Sequence, residues 1–333
     1  MSKIHEQKKI LVTGGNGMLA YPFKDKPNVI LLNREICNLD SYEQTKHAFQ
    51  SFKPDIVVHL AAKVGGIKGN MNNQNAFFQE NMNINMNVLN AAHNTDVDMV
   101  VSALSTCIFP ENPPNGFPYK ESDLHNGIPH QSNYGYAYAK RMLEVQSRIY
   151  REQYNRKYIC VIPNNLFGEN DNFDLENGHV LPAIIRKIYE AKQANIAPTF
   201  WGNGTQLRQF TYSEDAYKSI MKVIERTYEI YEANKLNAED IYENYNLVNI
   251  GNNEEIEIRK AIEIICEYFN YDFNLVKWDM TKPSGIYRKP STNVNFMNLF
   301  VPYDEQYSWY HEFKTAIYKT CKWFEENYPN IRG

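Results

Sequence analysis

The chain lacks the marks of several protein classes. Nowhere does it run through 18 consecutive apolar residues, the length at which a membrane-spanning helix becomes the expected reading. Its opening stretch, Met1 to Lys9, is polar and holds no apolar signal-peptide core. Neither export nor membrane insertion is expected, and the chain reads as cytoplasmic. Cysteine is sparse: Cys37, Cys107, Cys160, Cys266 and Cys321 are scattered, odd in number and without a C-x-x-C pair, which argues against a disulfide framework or a zinc site. No metal is expected. There is no block rich in Lys and Arg, and 35 basic against 39 acidic residues leave a net charge of −4. That balance recommends neither nucleic acid nor an anionic membrane as a partner. No internal repeat of 20–50 residues is evident.

What is present suits a soluble enzyme. The 333 residues, 43% of them hydrophobic, are enough for one large or two modest domains with a proper core. An apolar run, Ile10-Leu11-Val12, leads into Thr13-Gly14-Gly15-Asn16-Gly17-Met18-Leu19-Ala20, the spacing G-x-x-G-x-x-A. Glycines at 14 and 17 would let the backbone turn tightly and approach a pyrophosphate, whose charge is met by amides at a following helix N-terminus. The next apolar run, Val29-Ile30-Leu31-Leu32, follows a short segment holding Pro22 and Pro27, so the first crossover is expected to be brief or irregular. After it stand Asn33-Arg34-Glu35. Arg34 could pair with a 2′-phosphate through its planar fork, favouring NADP, while Glu35 keeps NAD open. Asp40 reads as an adenine neighbour or as the N-cap of a helix over 42–49.

Asp55 to Ala62, Met99 to Ala103 and Tyr158 to Ile162 are strand candidates, separated by helical stretches over 77–93 and 134–154. The alternation predicts an α/β fold: a Rossmann-type doubly wound parallel sheet over residues 1–165. Beyond it the pattern turns irregular and aromatic-rich, with helices near 179–192, 213–228 and 256–269. This predicts a smaller mixed α/β substrate-binding domain over 166–333, some segments of which return to the first. The Asn-rich stretch 70–90 carries Met, Ile, Leu and Phe at helical spacing and reads as an ordered helix.

Tyr136 and Lys140 stand four apart, on one face of a helix. A phenol with pKa near 10 is a poor proton carrier at neutral pH, and a neighbouring ammonium is expected to lower it into a useful range. Alone, such a pair is commonplace on solvated helices. Ser105 changes its weight, because a hydroxyl at the carboxyl edge of a parallel sheet sits where ligands bind and could polarise a carbonyl together with Tyr136.

These residues resemble the extended short-chain dehydrogenase/reductases and, within them, the GDP-L-fucose synthases, which are GDP-4-keto-6-deoxy-mannose epimerase/reductases. Besides the two motifs above, the resemblance rests on His59-Leu60-Ala61-Ala62-Lys63-Val64-Gly65-Gly66-Ile67, Ser105-Thr106-Cys107-Ile108-Phe109-Pro110 and Asn164-Asn165-Leu166-Phe167-Gly168. It continues through Asp171-Asn172-Phe173, Gly178-His179-Val180-Leu181-Pro182, Trp201-Gly202-Asn203-Gly204-Thr205 and Arg208-Gln209-Phe210, and fades after Lys282-Pro283-Ser284-Gly285.

The resemblance implies proton exchange at C3 and C5 of a GDP-4-keto-6-deoxy sugar, then hydride transfer from NADPH to C4, in deoxysugar biosynthesis for a surface polysaccharide. It gives Tyr136 the proton for the C4 oxygen, Ser105 its polarisation, Lys140 the tuning of Tyr136, Cys107 the role of base and His179 that of acid. The implied NADP site comprises Gly14, Asn16, Gly17, Met18, Leu19, Arg34, Asp40, Leu60, Ala61, Ala62, Tyr136, Lys140, Pro163, Asn165, Leu166 and His179. The implied substrate contacts are Lys63, Val64, Gly65, Ser105, Thr106, Cys107, Asn165, Lys187 or Arg186, Trp201, Arg208 and Lys282, and a homodimer built partly on the Tyr136 helix is implied too. The chain departs from the family at Asn16, where arginine is common, at Phe109 and Phe167, where tyrosine is frequent, and in the segment 111–131, so hexose and heptose both stay open. An NAD-retaining epimerase or dehydratase of the same fold is the alternative, although dehydratases carry Thr-Asp or Thr-Glu where Ser105-Thr106-Cys107 stands.

Overall fold

The computed structural model describes residues 7–232, 246–282 and 286–332, so Pro283, Ser284 and Gly285 of the last motif lie outside the described residues. The short apolar runs form strands β1 (Ile10–Thr13), β2 (Val29–Leu32), β3 (Ile56–His59), β4 (Met99–Ala103) and β5 (Lys157–Ile162). Then follow β6 (Asn165–Phe167), β7 (Thr199–Trp201), β8 (Leu207–Tyr212), β9 (Leu247–Asn249), β10 (Glu255–Glu257) and β11 (Lys277–Asp279). Helices are α1 (Tyr42–Phe52), α2 (Ile67–Asn72), α3 (Gln74–Asn94), α4 (Tyr134–Tyr154), α5 (Val180–Ala194), α6 (Ser213–Glu232), α7 (Ile258–Tyr268), α8 (Val294–Phe300) and α9 (Phe313–Asn327). Among the described residues no helix is long and apolar enough to cross a membrane.

Six strands make one parallel sheet in the order β2-β1-β3-β4-β5-β9. Alternation along each strand serves both faces. Leu11, Val57, Val100 and Cys160 pack against Phe49 of α1, Val88 and Leu89 of α3 and Leu143 of α4. Ile10, Val12, Val58, Val101 and Val161 face the other way, onto Phe23, Ile220 and Ile224 of α6, and Phe296 and Phe300 of α8. Each such burial contributes about 1.5–3 kcal/mol, so helices are held on both faces. This is the doubly wound Rossmann-type arrangement.

The crossover from β1 to β2 is a 3-10 segment, Met18–Phe23, containing Pro22. Its brevity follows from Pro22, which has no N–H to continue a helical ladder, and from the left-handed turns at Asp25 and Asn28 (φ 61° and 57°). The strand expected over 55–62 stops at His59, because the amides of Leu60 and Ala61 turn to the Thr13 hydroxyl at 3.1 Å. The N-cap of α1 is Ser41, whose side chain accepts from the Gln44 amide; Asp40 instead accepts from Asn83 Nδ2 at 3.0 Å.

The second half of the chain builds a smaller core. Phe167 and Phe210 meet Ile184, Ile185 and Ile188 of α5, Ile262 and Ile265 of α7 and Phe313 and Ile317 of α9. A three-stranded sheet, β10-β8-β6, and a parallel pair, β11-β7, lie in this half. Strand β9 and helix α6 join the large sheet instead, with Cys160 beside Leu247.

Candidate active site

The nucleotide turn is built by close backbone approach. Gly14 adopts φ +73°, and a Cβ there would lie 3.0 Å from the Ala61 Cα, while the Gly17 amide donates to the Gly14 carbonyl at 2.8 Å. Any larger residue would fill the cradle that a pyrophosphate requires. These residues fit a dinucleotide. Asn16, where the family commonly has arginine, is tied by its Oδ1 to Asn33 Nδ2 (3.2 Å) and by its carbonyl to Asn170 Nδ2 (3.2 Å). Arg34 is exposed beside this turn.

A buried chain of hydrogen bonds runs from this turn to α4. Asn85 Nδ2 donates to the Ala139 carbonyl at 3.3 Å, so its Oδ1 accepts from His59 Nε2 at 3.1 Å. His59 Nδ1 is then an acceptor and takes the Thr13 hydroxyl proton at 2.9 Å. Burial, with the Lys140 charge adding to it, presses the imidazole pKa to about 3. His59 is therefore neutral and of one tautomer.

At the carboxyl edge of the sheet β4 runs into Ser105, whose Oγ caps a 3-10 turn, Thr106–Ile108, by accepting from the Cys107 amide at 3.4 Å. Tyr136 and Lys140 lie one turn apart on α4. The Lys140 ammonium is 2% exposed and donates to the Ala103 carbonyl at 2.8 Å. Burial lowers its pKa to about 8. The expected depression of the Tyr136 phenol is absent. Tyr136 keeps some accessible surface yet sits deep among protein atoms, and this burial, with the nearby Cys107, pushes its pKa up instead. Desolvation dominates, and the Lys140 ammonium is turned to the Ala103 carbonyl.

Cys107 is half-buried, whereas the other four cysteines are buried. Tyr136, Lys140, Arg141 and Lys289 all lie within electrostatic reach of it. His179 stands apart from this set: it precedes α5 with no side-chain bond to the helix amides, and partial desolvation lowers its pKa although the residue is exposed. The turn carrying it meets the Lys63–Gly66 loop, where a Cβ on Gly66 would lie 3.4 Å from the Asn177 carbonyl. Pro163 is buried, Leu166 half-buried, and Asn165 Nδ2 donates to the Gln209 carbonyl at 2.7 Å.

Of the other expected substrate contacts, Lys63 is ion-paired with Glu80 and lies 5.6 Å from the Phe77 ring centroid; Val64 is exposed. Thr106 is half-buried. Lys187 donates to the Thr199 carbonyl, while Arg186 is held by Glu190 at 2.7 Å. Arg208 donates to the Leu207 and Ile286 carbonyls at 2.7 and 2.8 Å, and Trp201 is 55% exposed on β7 beside Asp279 of β11. Lys282 is exposed just beyond β11.

The segment 111–131 forms a wall beside the Cys107 turn and is stapled to later parts of the chain. Tyr119 stacks on Phe109 at 4.7 Å, and its hydroxyl donates to the Pro110 carbonyl at 2.6 Å. Its amide donates to the Pro290 carbonyl at 2.9 Å. Glu121 accepts from the Asn249 amide (2.9 Å) and from Asn295 Nδ2 (3.0 Å). Lys289, 5.6 Å from the Tyr119 ring centroid, and Arg141 were not anticipated at the site, since nothing in their spacing marks them.

Residues 10–238 match the model of the NAD dependent epimerase/dehydratase family. The chain is similar to the GDP-L-fucose synthase of Dictyostelium discoideum, at 37% identity with 100% of both chains covered. It is similar to the GDP-L-fucose synthase of Escherichia coli (strain K12), at 31% identity over 98% of this chain and 99% of that one. A solved GDP-L-fucose synthetase from Naegleria fowleri bound to NADP superimposes with a TM-score of 0.83 at 34% identity, covering 98% of this chain and 95% of that one. With its glycine cradle, its Tyr136–Lys140 helix and Cys107 at one sheet edge, the chain belongs to the NAD dependent epimerase/dehydratase family, in its GDP-L-fucose synthase branch.

Proposed function

We propose that the protein is an NADPH-dependent C4 reductase of a GDP-4-keto-6-deoxy sugar that also exchanges the protons at C3 and C5. The observation that carries this is the gathering of Tyr136 and Lys140 within electrostatic reach of Cys107, the half-buried thiol. When bound in the glycine cradle, with Arg34 toward its 2′-phosphate, NADPH supplies the hydride. Tyr136, held as a neutral phenol by burial, is suited to give its proton to the C4 oxygen, which Ser105 Oγ polarises. Lys140 orients this end of the cleft from its anchor on Ala103. The 4-keto group acidifies the neighbouring C–H bonds, Cys107 removes a proton and His179 delivers one on the other face. Lys187, Trp201, Arg208 and Lys282 are assigned to the nucleotide diphosphate, and the remaining expected contacts to cofactor and sugar.

A hexose is the preferred substrate, given the relatives' names. Residues 1–165, with the returning α6 and β9, form the nucleotide-binding unit of the proposal, and the rest holds the sugar. The apolar side chains exposed on α3 and α4, among them Phe78, Met86, Ile149 and Tyr154, support a homodimer through these helices. A cytoplasmic location completes the reading.

The test is turnover of GDP-4-keto-6-deoxy-mannose with NADPH in D₂O. Loss of nicotinamide absorbance with deuterium at C3 and C5 is expected. Oxidation without deuterium would reduce the reading to a C4 reductase, and no oxidation would overturn it.

A further inference from the structure

We propose that Arg141 is the positioning residue for proton exchange, the group that holds Cys107 against the sugar; this rests on the reading that Cys107 is the base. Arg141 follows Lys140 on α4 and is 4% exposed. Its Nε donates to the carbonyl of Ile108, the residue after Cys107, at 2.7 Å, and its Nη1 donates to the Gly127 carbonyl in the cleft wall at 2.7 Å. The Tyr138 ring centroid lies 5.4 Å from the guanidinium carbon. Nη2 is buried without a protein partner.

A guanidinium is planar and permanently charged, so one rigid fork fixes two backbone segments relative to the helix that carries Tyr136. The other side-chain ties to the thiol's turn are long. The Cys107 amide reaches Ser105 Oγ at 3.4 Å, and Asn133 Nδ2 reaches the Cys107 carbonyl at 3.4 Å. Charge-assisted bonds are shorter and roughly twice as strong as neutral ones, so the Ile108 bond is the firm anchor of the turn. Without it the side-chain ties of the Cys107 turn would be the two long ones, while the segment 111–131 would stay joined to α4 through His125 Nε2 and Glu144 Oε2, 3.0 Å apart. The hydride half has its own supports: Ser105 precedes the turn, and Lys140 is anchored on Ala103.

The two halves therefore separate in an Arg141→Met variant. Proton exchange is read alone by NMR wash-in of deuterium from D₂O into C3 and C5 of GDP-4-keto-6-deoxy-mannose, with NADPH withheld. Hydride transfer is read by the kinetic isotope effect with NADPH deuterated at the transferred position, and the fold by NADPH fluorescence on binding. Wash-in is expected to fall by about 10²-fold, the loss that a displacement near 1 Å can cause. The isotope effect is expected to shrink toward unity, because exchange now limits the overall rate. Arg141→Lys, which keeps the charge and one donor, restores part of the wash-in and carries the test if the methionine variant fails to bind NADPH. Wash-in unchanged, or falling together with hydride transfer at an unaltered isotope effect, overturns the inference while the proposed function stands. A wild type that oxidises NADPH with no wash-in overturns both this inference and the exchange half of that function.

Discussion

Gln74 Oε1 accepts the Gly135 amide at 2.7 Å, so the first residue of α3 caps the N-terminus of α4 one residue before Tyr136. Gln74 Nε2 continues the clamp to the Gln131 carbonyl at 2.9 Å. The two helices meet so closely that a Cβ on Gly135 would lie 2.3 Å from the Gln74 carbonyl oxygen. A Gly135→Ala variant must push α4 away from α3 and carry the phenol with it. NADPH oxidation should fall by about 10²-fold, since misplacing a proton donor by an ångström has that effect. NADPH binding, followed by its fluorescence, should stay near wild type; a variant of full activity would refute the account.

The neutral, single-tautomer state of His59 gives a direct spectroscopic expectation. Its folded pKa of about 3 lies below the ordinary 6.5, so the folded state excludes a proton that the unfolded chain binds. The stability tied to this site is complete above the ordinary value and is lost as pH falls toward the folded one. Nitrogen shifts of the His59 ring should stay flat from about pH 8 to about pH 5, with Nδ1 unprotonated throughout. His59→Phe would leave the Thr13 hydroxyl proton and the Asn85 Oδ1 buried and unpaired, at a cost of about 2–5 kcal/mol. Thermal unfolding measures it.

Asp171 is the opposite case. It is 4% exposed, its Oδ1 accepts the Asn172 amide at 2.7 Å, and its Oδ2 has no partner. Burial raises its pKa from 3.8 to about 7, with Arg332 opposing. The folded state therefore binds a proton that the unfolded chain has released, and stability falls as pH rises between those two values. Asp171→Asn should stabilise the protein by about 1–3 kcal/mol at pH near 8 and by much less near pH 4. No gain at pH near 8, seen in melting curves, would show that the carboxylate is paired in solution.

Strand positions, the helix over 134–154 and the short first crossover were legible because apolar runs, Pro22 and Pro27 are local signals. The nucleotide turn was legible for the same reason: Gly14 and Gly17 declare a backbone need by their identity. Burial is a property of the assembled chain, and so the direction of the Tyr136 shift was misread. Arg141, Lys289 and Gln74 were invisible because their partners, Ile108, Tyr119 and Gly135, lie 33 to 170 positions away along the chain. An arginine that serves backbone carbonyls leaves no spacing to read. The N-cap reading of Asp40 failed at finer grain, since Ser41 next to it is an equally good cap.

The wall formed by 111–131 also orders events during synthesis. Tyr119 finds its backbone partners at Pro290 and Thr292, and the Glu121 carboxylate finds its partners at Asn249 and Asn295. A growing chain possesses the glycine turn within its first tens of residues, yet the segment beside Cys107 lacks these partners until nearly nine-tenths of the polypeptide has left the ribosome. A nascent chain can thus present a nucleotide cradle well before it can hold a sugar.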